Sequence, residues 1–510
     1  MIRNIVLLLL VFANLSSFFS QEKYWIYLKD KAGVENDCYT YLSEKAIERR
    51  IKIGYPIGAF TDLPIRDSYI NEIGNKVEKI NAKSRWLNAI CVEANKKQID
   101  CISEFPFVKK INKCNLSINY CSMENNNNDR LIERQISHMK GNSFKNNGFS
   151  GEGIRICVID GGFKGAKDSP VLKHLFDNNQ IIKTWDFHHK KENVYKYSYH
   201  GTAVLSCIGG KNADNIMGLA QKAEFLLAIT ERMAVENQSE EELWLLAAEW
   251  ADANGADIIN TSLGYTADEY FPFEMDGETS IISKAANLAA KKGMLVVCSA
   301  GNSGTTNWKY IATPADADSV LTVGAISGSS IHRNFSSYGP TSDHRMKPNV
   351  VAYGDVMTAS KKGISQSQGT SFSSPLIAGF AACLWEMFPK YSNMEIFKLI
   401  ERSSSMYPYF DYAHGHGIPQ ASYFFKQNKT EPTFKIIEDA KTINVTIEEK
   451  NLSKQGIQYL FVHVADENDF LNHYETIIIY KTIPYVVEKE KYKGKTLRFH
   501  FNGYTDEIQL

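Results

Sequence analysis

The chain opens on an unbroken apolar run, Ile5 to Phe12, behind the single cation Arg3 and ahead of the small residues Ser16, Ser17 and Ser20. Eight apolar positions followed by Asn14 fall short of the roughly 20 that cross a bilayer. The pattern predicts a cleaved export signal over residues 1–20. No later run is long and apolar enough to span, so the mature chain is expected to be secreted, periplasmic or held at the cell surface, with no transmembrane segment. Tyr24-Trp25-Ile26-Tyr27-Leu28 reads as a strand and Leu42 to Ile51 as a charged helix. Two apolar runs then flank Ser84 within Lys76 to Ala94, a helix is expected over Lys97 to Phe105, and Val108-Lys109-Lys110-Ile111 closes the series. That βαββαβ order is the split-βαβ, ferredoxin-like pattern, placed over residues 21–120. Glu124 to Arg130, with four consecutive asparagines, is too polar to fold alone and reads as a linker.

From about residue 150 the pattern changes. Ile154 to Ile159, Phe225 to Ile229, Ile258 to Ser262, Met294 to Cys298 and Val320 to Val323 are nearly continuous apolar runs, as in a sheet covered on both faces. Helices alternate with them. Ser239 and Glu242 form a capping box opening a helix that stops at Gly255, and a second runs from Thr279 to Lys292 before Gly293. This predicts a doubly wound, mainly parallel α/β unit over residues 130–425, with ligands at the carboxyl ends of its strands. Beyond about 430, the runs Ile443–Ile447, Tyr459–Val464, Thr476–Tyr480 and Leu497–Phe501 alternate with period two, predicting a small all-β module over residues 430–510.

Composition narrows the class only slightly. At about 150 residues per domain, 510 residues make about three units. A 44% apolar fraction supplies a core and excludes bulk disorder. The balance of 57 Lys and Arg against 58 Asp and Glu leaves no basic footprint for nucleic acid. Nine cysteines are too few for a disulfide scaffold. Cys157, Cys207, Cys298 and Cys383 lie in apolar runs and read as buried packing thiols, whereas Cys114 and Cys121 could pair with each other or with Cys91 or Cys101.

Three short segments sit where such a fold makes sites. Val158-Ile159-Asp160-Gly161-Gly162 ends a strand, His200-Gly201-Thr202-Ala203-Val204 begins an apolar helix, and Gly369-Thr370-Ser371-Phe372-Ser373-Ser374-Pro375 precedes another. Each alone is an ordinary turn or cap. Together they supply what acyl transfer at neutral pH requires: a hydroxyl nucleophile, an imidazole to take its proton, and a carboxylate to orient that imidazole. Ser371 at a helix start also lies beside free backbone amides and the positive end of the helix dipole.

The order Asp, His, Ser resembles the subtilase family of serine proteases, peptidase family S8, from about Gly151 to Leu384. Ser299-Ala300-Gly301-Asn302-Ser303-Gly304 resembles the family's oxyanion segment, with Asn302 as side-chain donor. Ile259-Asn260-Thr261-Ser262-Leu263-Gly264 resembles its substrate-binding strand, which pairs with an extended peptide. Phe335 to Pro340 and Lys347 to Val350 also follow the family pattern, while Ala203 replaces a common histidine.

The resemblance implies a serine endopeptidase acting on proteins or peptides. Asp160, His200, Ser371 and Asn302 would be catalytic, and Ser262, Leu263, Gly264, Ser299, Ala300 and Gly301 would flank the substrate. It also implies that residues 21–120 are a propeptide serving as intramolecular chaperone and inhibitor, so that the enzyme is a zymogen. Many relatives bind calcium. Here Lys211-Asn212-Ala213-Asp214-Asn215 holds one carboxylate, and calcium prefers six to eight oxygens, so no calcium site is assigned. No H-E-x-x-H zinc motif occurs, and His188, His189, His414 and His416 read as loop histidines. Two other readings compete: a non-catalytic, peptide-binding member of the family, and an esterase of the α/β-hydrolase type. The intact triad weighs against the first. The missing G-x-S-x-G and the residue order weigh against the second.

Overall fold

The computed structural model describes residues 22–35, 38–114, 124–125, 129–212, 215–231, 240–266, 270–360, 363–425, 431–452, 457–479, 482 and 484–510. The expected export signal, residues 126–128 of the asparagine-rich linker and Ser239 lie outside them.

In the N-terminal unit the strands lie in the order Lys79–Ser84, Ala89–Ala94, Glu22–Leu28, Val108–Lys113, all antiparallel. Helices Glu44–Ile53 and Lys96–Ser103 make the crossovers. Each begins at a side-chain cap: the Ser43 hydroxyl accepts from the Ala46 amide, and Asn95 and Gln98 form a capping box. A further helix, Asp67–Gly74, was not foreseen. The period-two alternation of the strands divides the sheet into two faces. Tyr24, Ile26, Leu28, Ile90 and Val92 build the unit's own core. Trp25, Ala89 and Cys91 point the other way and join the core of the next unit.

That next unit is a seven-stranded sheet in the order Val350–Tyr353, Val320–Ile326, Leu295–Ser299, Ile258–Thr261, Arg155–Asp160, Glu224–Ile229, Ile181–Asp186. Every pairing is parallel. Helices His200–Gly209 and Thr370–Met387 cover one face, and Glu240–Ala253 and Ile281–Lys291 the other. All residues of Leu295–Ser299 and Val320–Ile326 are buried, which is why those strands read as uninterrupted apolar runs. Cys157, Cys207, Cys298 and Cys383 are free, buried thiols within these layers, as expected.

The N-terminal unit docks on the face covered by Glu240–Ala253 and Ile281–Lys291. Five charged side chains are sealed in the junction: Arg49, Arg50 and Asp62 from the unit, Asp252 and Lys292 from the larger one, none more than 3% exposed. Arg50 bridges Asp62 at 2.7 Å and Asp252 at 2.6 Å, Lys292 reaches Asp62 at 2.7 Å, and Arg49 pairs with Asp252. Beside them, Glu249 accepts from the Ser84 hydroxyl at 2.6 Å and the Trp86 amide at 3.2 Å.

The C-terminal module has two antiparallel sheets, one of Phe434–Glu438, Thr442–Ile447 and Tyr485–Glu488, the other of Leu471–Ile479, Gln458–Ala465, Thr496–Phe501 and Tyr504–Gln509. Alternate residues such as Ile443, Val445 and Ile447 fill a core of its own, confirming the all-β expectation.

Candidate active site

Four elements bring the site together at the carboxyl ends of adjacent parallel strands. Asp160 is the last residue of Arg155–Asp160 and is fully buried. Its carboxylate accepts from the Gly161 amide at 2.7 Å. Opposite stands His200, the first residue of its helix, with Nδ1 2.9 Å from both Asp160 oxygens. Glycines make this approach possible. The Gly201 amide donates to the Gly162 carbonyl at 3.0 Å, and a Cβ on Gly201 would lie 2.6 Å from that oxygen. Gly162, at φ +148°, leaves no room for a side chain beside the Lys196 carbonyl and the Ser198 amide.

Two opposing effects act on His200. Burial disfavours its cation, but the charge of Asp160 and the hydrogen bond to it outweigh burial and hold the imidazole above its ordinary value. The bond to Asp160 also sets the tautomer, with the proton on Nδ1 and Nε2 free to accept. The ring lies against Phe372, centroid to centroid 5.6 Å.

Ser371 sits in the first turn of Thr370–Met387, where backbone amides have no intrahelical partner. Its hydroxyl donates to the Ser262 carbonyl at 3.3 Å, while the Ser262 hydroxyl donates to the Ser371 carbonyl at 2.9 Å. The start of the helix is thus tied to the segment following strand Ile258–Thr261. Leu263 and Gly264 continue that segment, with Leu263 buried and Gly264 against Ala312. Ser299 ends the neighbouring strand, and Ala300 and Gly301 follow it. Gly301 has φ +104° and gives its carbonyl to the Ser337 amide at 2.9 Å. The six residues expected to flank a substrate therefore form two adjacent strand ends.

Asn302 comes next. Its Oδ1 accepts from the Thr370 amide at 2.9 Å and the Thr370 hydroxyl at 3.0 Å. Both bonds engage the oxygen, so the amide NH2 is the end left for another partner. Thr370 was not singled out from the sequence, although it adjoins the nucleophile candidate. Nothing in spacing reveals that it aims Asn302.

Lys211–Asn212 and Asn215–Ile216 pair as a short hairpin, the residues between them lying outside those described. Two histidines read as loop residues are partners of aspartates: His189 lies 2.8 Å from Asp186, and His414 lies 2.9 Å from Asp411. Among the described residues, one group has metal-ligand spacing. Cys91, Cys114 and Glu242 bring their donor atoms within 4.8 Å of one another, far from the expected triad in the chain and unmarked by any motif. Also among the described residues, no helix is long and apolar enough to cross a membrane.

Comparison with known proteins places the chain in a family. The family model for the subtilase family matches residues 151–417, and a peptidase S8 propeptide domain of Bacteroidota matches residues 23–130. Subtilisin NAT of Bacillus subtilis subsp. natto is 25% identical over 355 residues, 68% of this chain and 83% of that protein. Subtilisin Savinase of Lederbergia lenta is 28% identical over 264 residues, 51% of this chain and 87% of its own length. In fold the chain is similar to the epidermin leader peptide processing serine protease of Staphylococcus aureus, with a TM-score of 0.57, 16% identity, and coverage of 81% of this chain and 100% of that one. With more than half of its length matched by the family model and a propeptide domain ahead of that match, the chain belongs to the subtilase family of serine proteases and is built as a zymogen.

Proposed function

We propose that the chain is an exported endopeptidase in which Ser371 is the nucleophile, His200 the general base and acid, Asp160 the group that orients the imidazole, and Asn302 the oxyanion donor. The observation that carries this reading is the Asp160–His200 pair, with both carboxylate oxygens 2.9 Å from Nδ1. It leaves Nε2 as the one ring atom able to take a proton from a hydroxyl. In the resting geometry Ser371 donates to Ser262; in the reaction its hydroxyl would instead donate to His200 Nε2. Oγ then attacks the scissile carbonyl as its proton passes to Nε2. The Asn302 side-chain NH2 and the Ser371 amide hold the oxyanion, and His200 returns the proton to the leaving amine. Water repeats the sequence on the acyl-enzyme.

An extended peptide would pair with Ser262, Leu263 and Gly264 on one side and Ser299, Ala300 and Gly301 on the other. None of these six residues carries a charge that would select Lys or Arg, which favours apolar side chains at the position before the cut. Residues 1–20 would direct export. Activation cleavage would fall after Cys114 and before about residue 135, in the stretch that joins the N-terminal unit to the catalytic unit.

The test is the full chain without residues 1–20, incubated with an unstructured protein and followed by mass spectrometry beside Ser371→Ala. Wild type is expected to cut itself in that interval and then digest the substrate. Ser371→Ala is expected to lose on the order of 10⁶-fold in kcat, the magnitude known for subtilisin itself. A folded Ser371→Ala protein keeping more than a few per cent of the activity would overturn the assignment. A folded wild type that cuts nothing, even after the N-terminal unit is removed, would favour a peptide-binding role.

A further inference from the structure

The junction between the N-terminal and catalytic units contains a donor set that proteolysis does not use. Cys91, in strand Ala89–Ala94, and Cys114, just past Val108–Lys113, belong to the N-terminal unit; Glu242 belongs to helix Glu240–Ala253 of the catalytic unit. Their donor atoms lie within 4.8 Å of one another. The Cys91 thiol donates to Glu242 Oε1 at 2.9 Å, and Cys114 Sγ stands 4.0 Å from the same oxygen. Cys91 and Glu242 are essentially sealed from solvent. The other carboxylate oxygen of Glu242, Oε2, is buried with no hydrogen-bond partner, an expensive arrangement for a carboxylate.

A disulfide does not fit this arrangement. Strand Glu22–Leu28 runs between the two cysteine-bearing strands. Cys91 lies opposite Trp25 on one side, and the Cys114 amide donates to the Lys23 carbonyl on the other. Two strand spacings place the backbones about 9–10 Å apart, beyond the roughly 4.4–6.8 Å between Cα atoms that a disulfide accepts. A tetrahedral zinc ion with Zn–S bonds of about 2.3 Å holds its sulfurs about 3.8 Å apart, and side chains reaching across the intervening strand can meet that distance.

We propose that Cys91, Cys114 and Glu242 bind a thiophilic divalent cation, Zn²⁺, which clamps the N-terminal unit onto the catalytic unit in the zymogen. Binding exchanges two thiol protons, released to solvent, for two Zn–S bonds and one Zn–O bond, leaving the fourth position to water. Two thiolates and a carboxylate around a dication carry one net negative charge. Lys23, its Nζ 3.9 Å from Glu242 Oε1, lies where it offsets that charge. Two ligands come from the part of the chain that activation removes and one from the part that remains. The site therefore exists only while the units are together, and the metal opposes their separation. The clamp rests on the docking of residues 22–114 and not on the triad, so its failure and that of the protease reading are read separately.

The test uses the full Ser371→Ala chain, which stays joined, purified reduced and metal-free. Co²⁺ is titrated first, and Zn²⁺ then displaces it. One equivalent of Co²⁺ is expected to bind with a thiolate charge-transfer absorption. Binding should tighten with rising pH as two protons leave, and Zn²⁺ should raise the melting temperature. Because groups that only support ligands are worth about 10–100-fold in metal affinity, Cys91→Ser or Cys114→Ser should lower affinity by at least about 100-fold. Glu242→Gln, which leaves both thiols in place, should weaken binding while preserving circular dichroism. In wild type, Zn²⁺ should slow release of the cleaved N-terminal unit and a chelator should speed it. No saturable one-to-one binding, binding unchanged in both folded cysteine variants, or a Cys91–Cys114 disulfide in the purified protein would each overturn the proposal.

Discussion

The catalytic unit carries two neighbours and holds them by opposite means. The N-terminal unit gives up one face of its sheet: Trp25, Ala82, Trp86, Ala89 and Cys91 lie in the same apolar cluster as Trp244, Ala248 and Ala285 of the catalytic unit. In the middle of that seam sit Arg49, Arg50, Asp62, Asp252 and Lys292, paired to one another and sealed. The C-terminal module keeps its own core. It meets the catalytic unit along a rim of rings, Phe410 on Phe470 at 5.5 Å and His414 on Tyr474 at 5.1 Å, beside a cavity of about 770 Å³. Buried ions cost several kcal/mol each to desolvate, and that cost is offset only when every partner is in place. The N-terminal junction thus forms as a whole or fails as a whole, which suits a part that must block the enzyme and then leave. The ring-lined junction also buries charge, the Asp411–His414 pair on one side and Arg498 on the other, with Arg498 reaching the Ser405 carbonyl, but among the described residues no ion pair joins the two units there.

The comparison breaks most severely if one partner of the ion cluster is removed. Asp252→Ala leaves Arg49 without its carboxylate and Arg50 with half of its pairing. A buried charge deprived of its partner costs about 3–5 kcal/mol, so denaturant melts of the Ser371→Ala zymogen should show a loss of that size. The isolated N-terminal unit should bind the processed variant about 10²–10³-fold more weakly than the processed parent. A change under about 1 kcal/mol would mean the cluster is not what holds the junction.

Acid should separate the two junctions in the reverse order. Burial, with His414 adding to it, holds His332 down to about 3; burial, with Arg498 and Lys140, holds His500 down to about 3. Burial, Arg498 and His414 hold His463 well below its ordinary value. These histidines stay neutral when folded but take up protons near pH 6.5 once released. The stability they allow is present above about pH 6.5 and is lost as the pH falls towards 3. Between pH 6.5 and 5 the loss reaches up to about 2 kcal/mol per histidine. Asp411 works in a different window. Burial raises it, but the charge and hydrogen bonds of His414 prevail and hold it at about 2, so its contribution fades only below about pH 4. The N-terminal cluster contains no histidine. Burial raises Asp62, but Lys292 and Arg50 prevail and keep it below the ordinary carboxylate range, so that side too weakens only in stronger acid. Hydrogen exchange at pH 7.5 and pH 5 should show residues 458–501 loosening while residues 44–53 stay protected; earlier loosening of 44–53 would reverse the contrast.

What the sequence revealed follows from the range of each interaction. The buried parallel strands were legible because burial on both faces writes an apolar run, and the all-β module because half-burial writes alternation. The expected site residues were legible as strand ends and helix starts, and the fold brings Asp160, His200, Ser371 and Asn302 to one end of the sheet. Helix Asp67–Gly74 went unseen because it begins at Arg66 with no side-chain cap and buries only Ile73. The ion cluster was invisible for a deeper reason. Arg49 and Arg50 lie in a stretch that reads as a charged helix, and their partner Asp252, like the Lys292 that pairs with Asp62, is more than 200 residues away. Charge at one position carries no mark of the distant charge that will neutralise it. The same holds for Cys91, Cys114 and Glu242, and for the bond by which Thr370 aims Asn302.

The smallest expected effect guards against counting charges. Lys79 pairs with Glu93 at 3.1 Å on the N-terminal sheet, within hydrogen-bond reach though longer than the 2.6 and 2.7 Å contacts of the cluster, but their side chains are 62% and 32% exposed. Water already solvates both ions and screens their attraction, and ordering two long side chains offsets much of the remainder. Lys79→Ala should therefore change zymogen stability by less than about 0.5 kcal/mol and leave release of the N-terminal unit unaltered, with added salt lowering even that difference. If it instead matched Asp252→Ala, the grip of the N-terminal unit would come from its overall charge and not from the sealed cluster. The two junctions would then differ in the number of their charges and not in how they bury them.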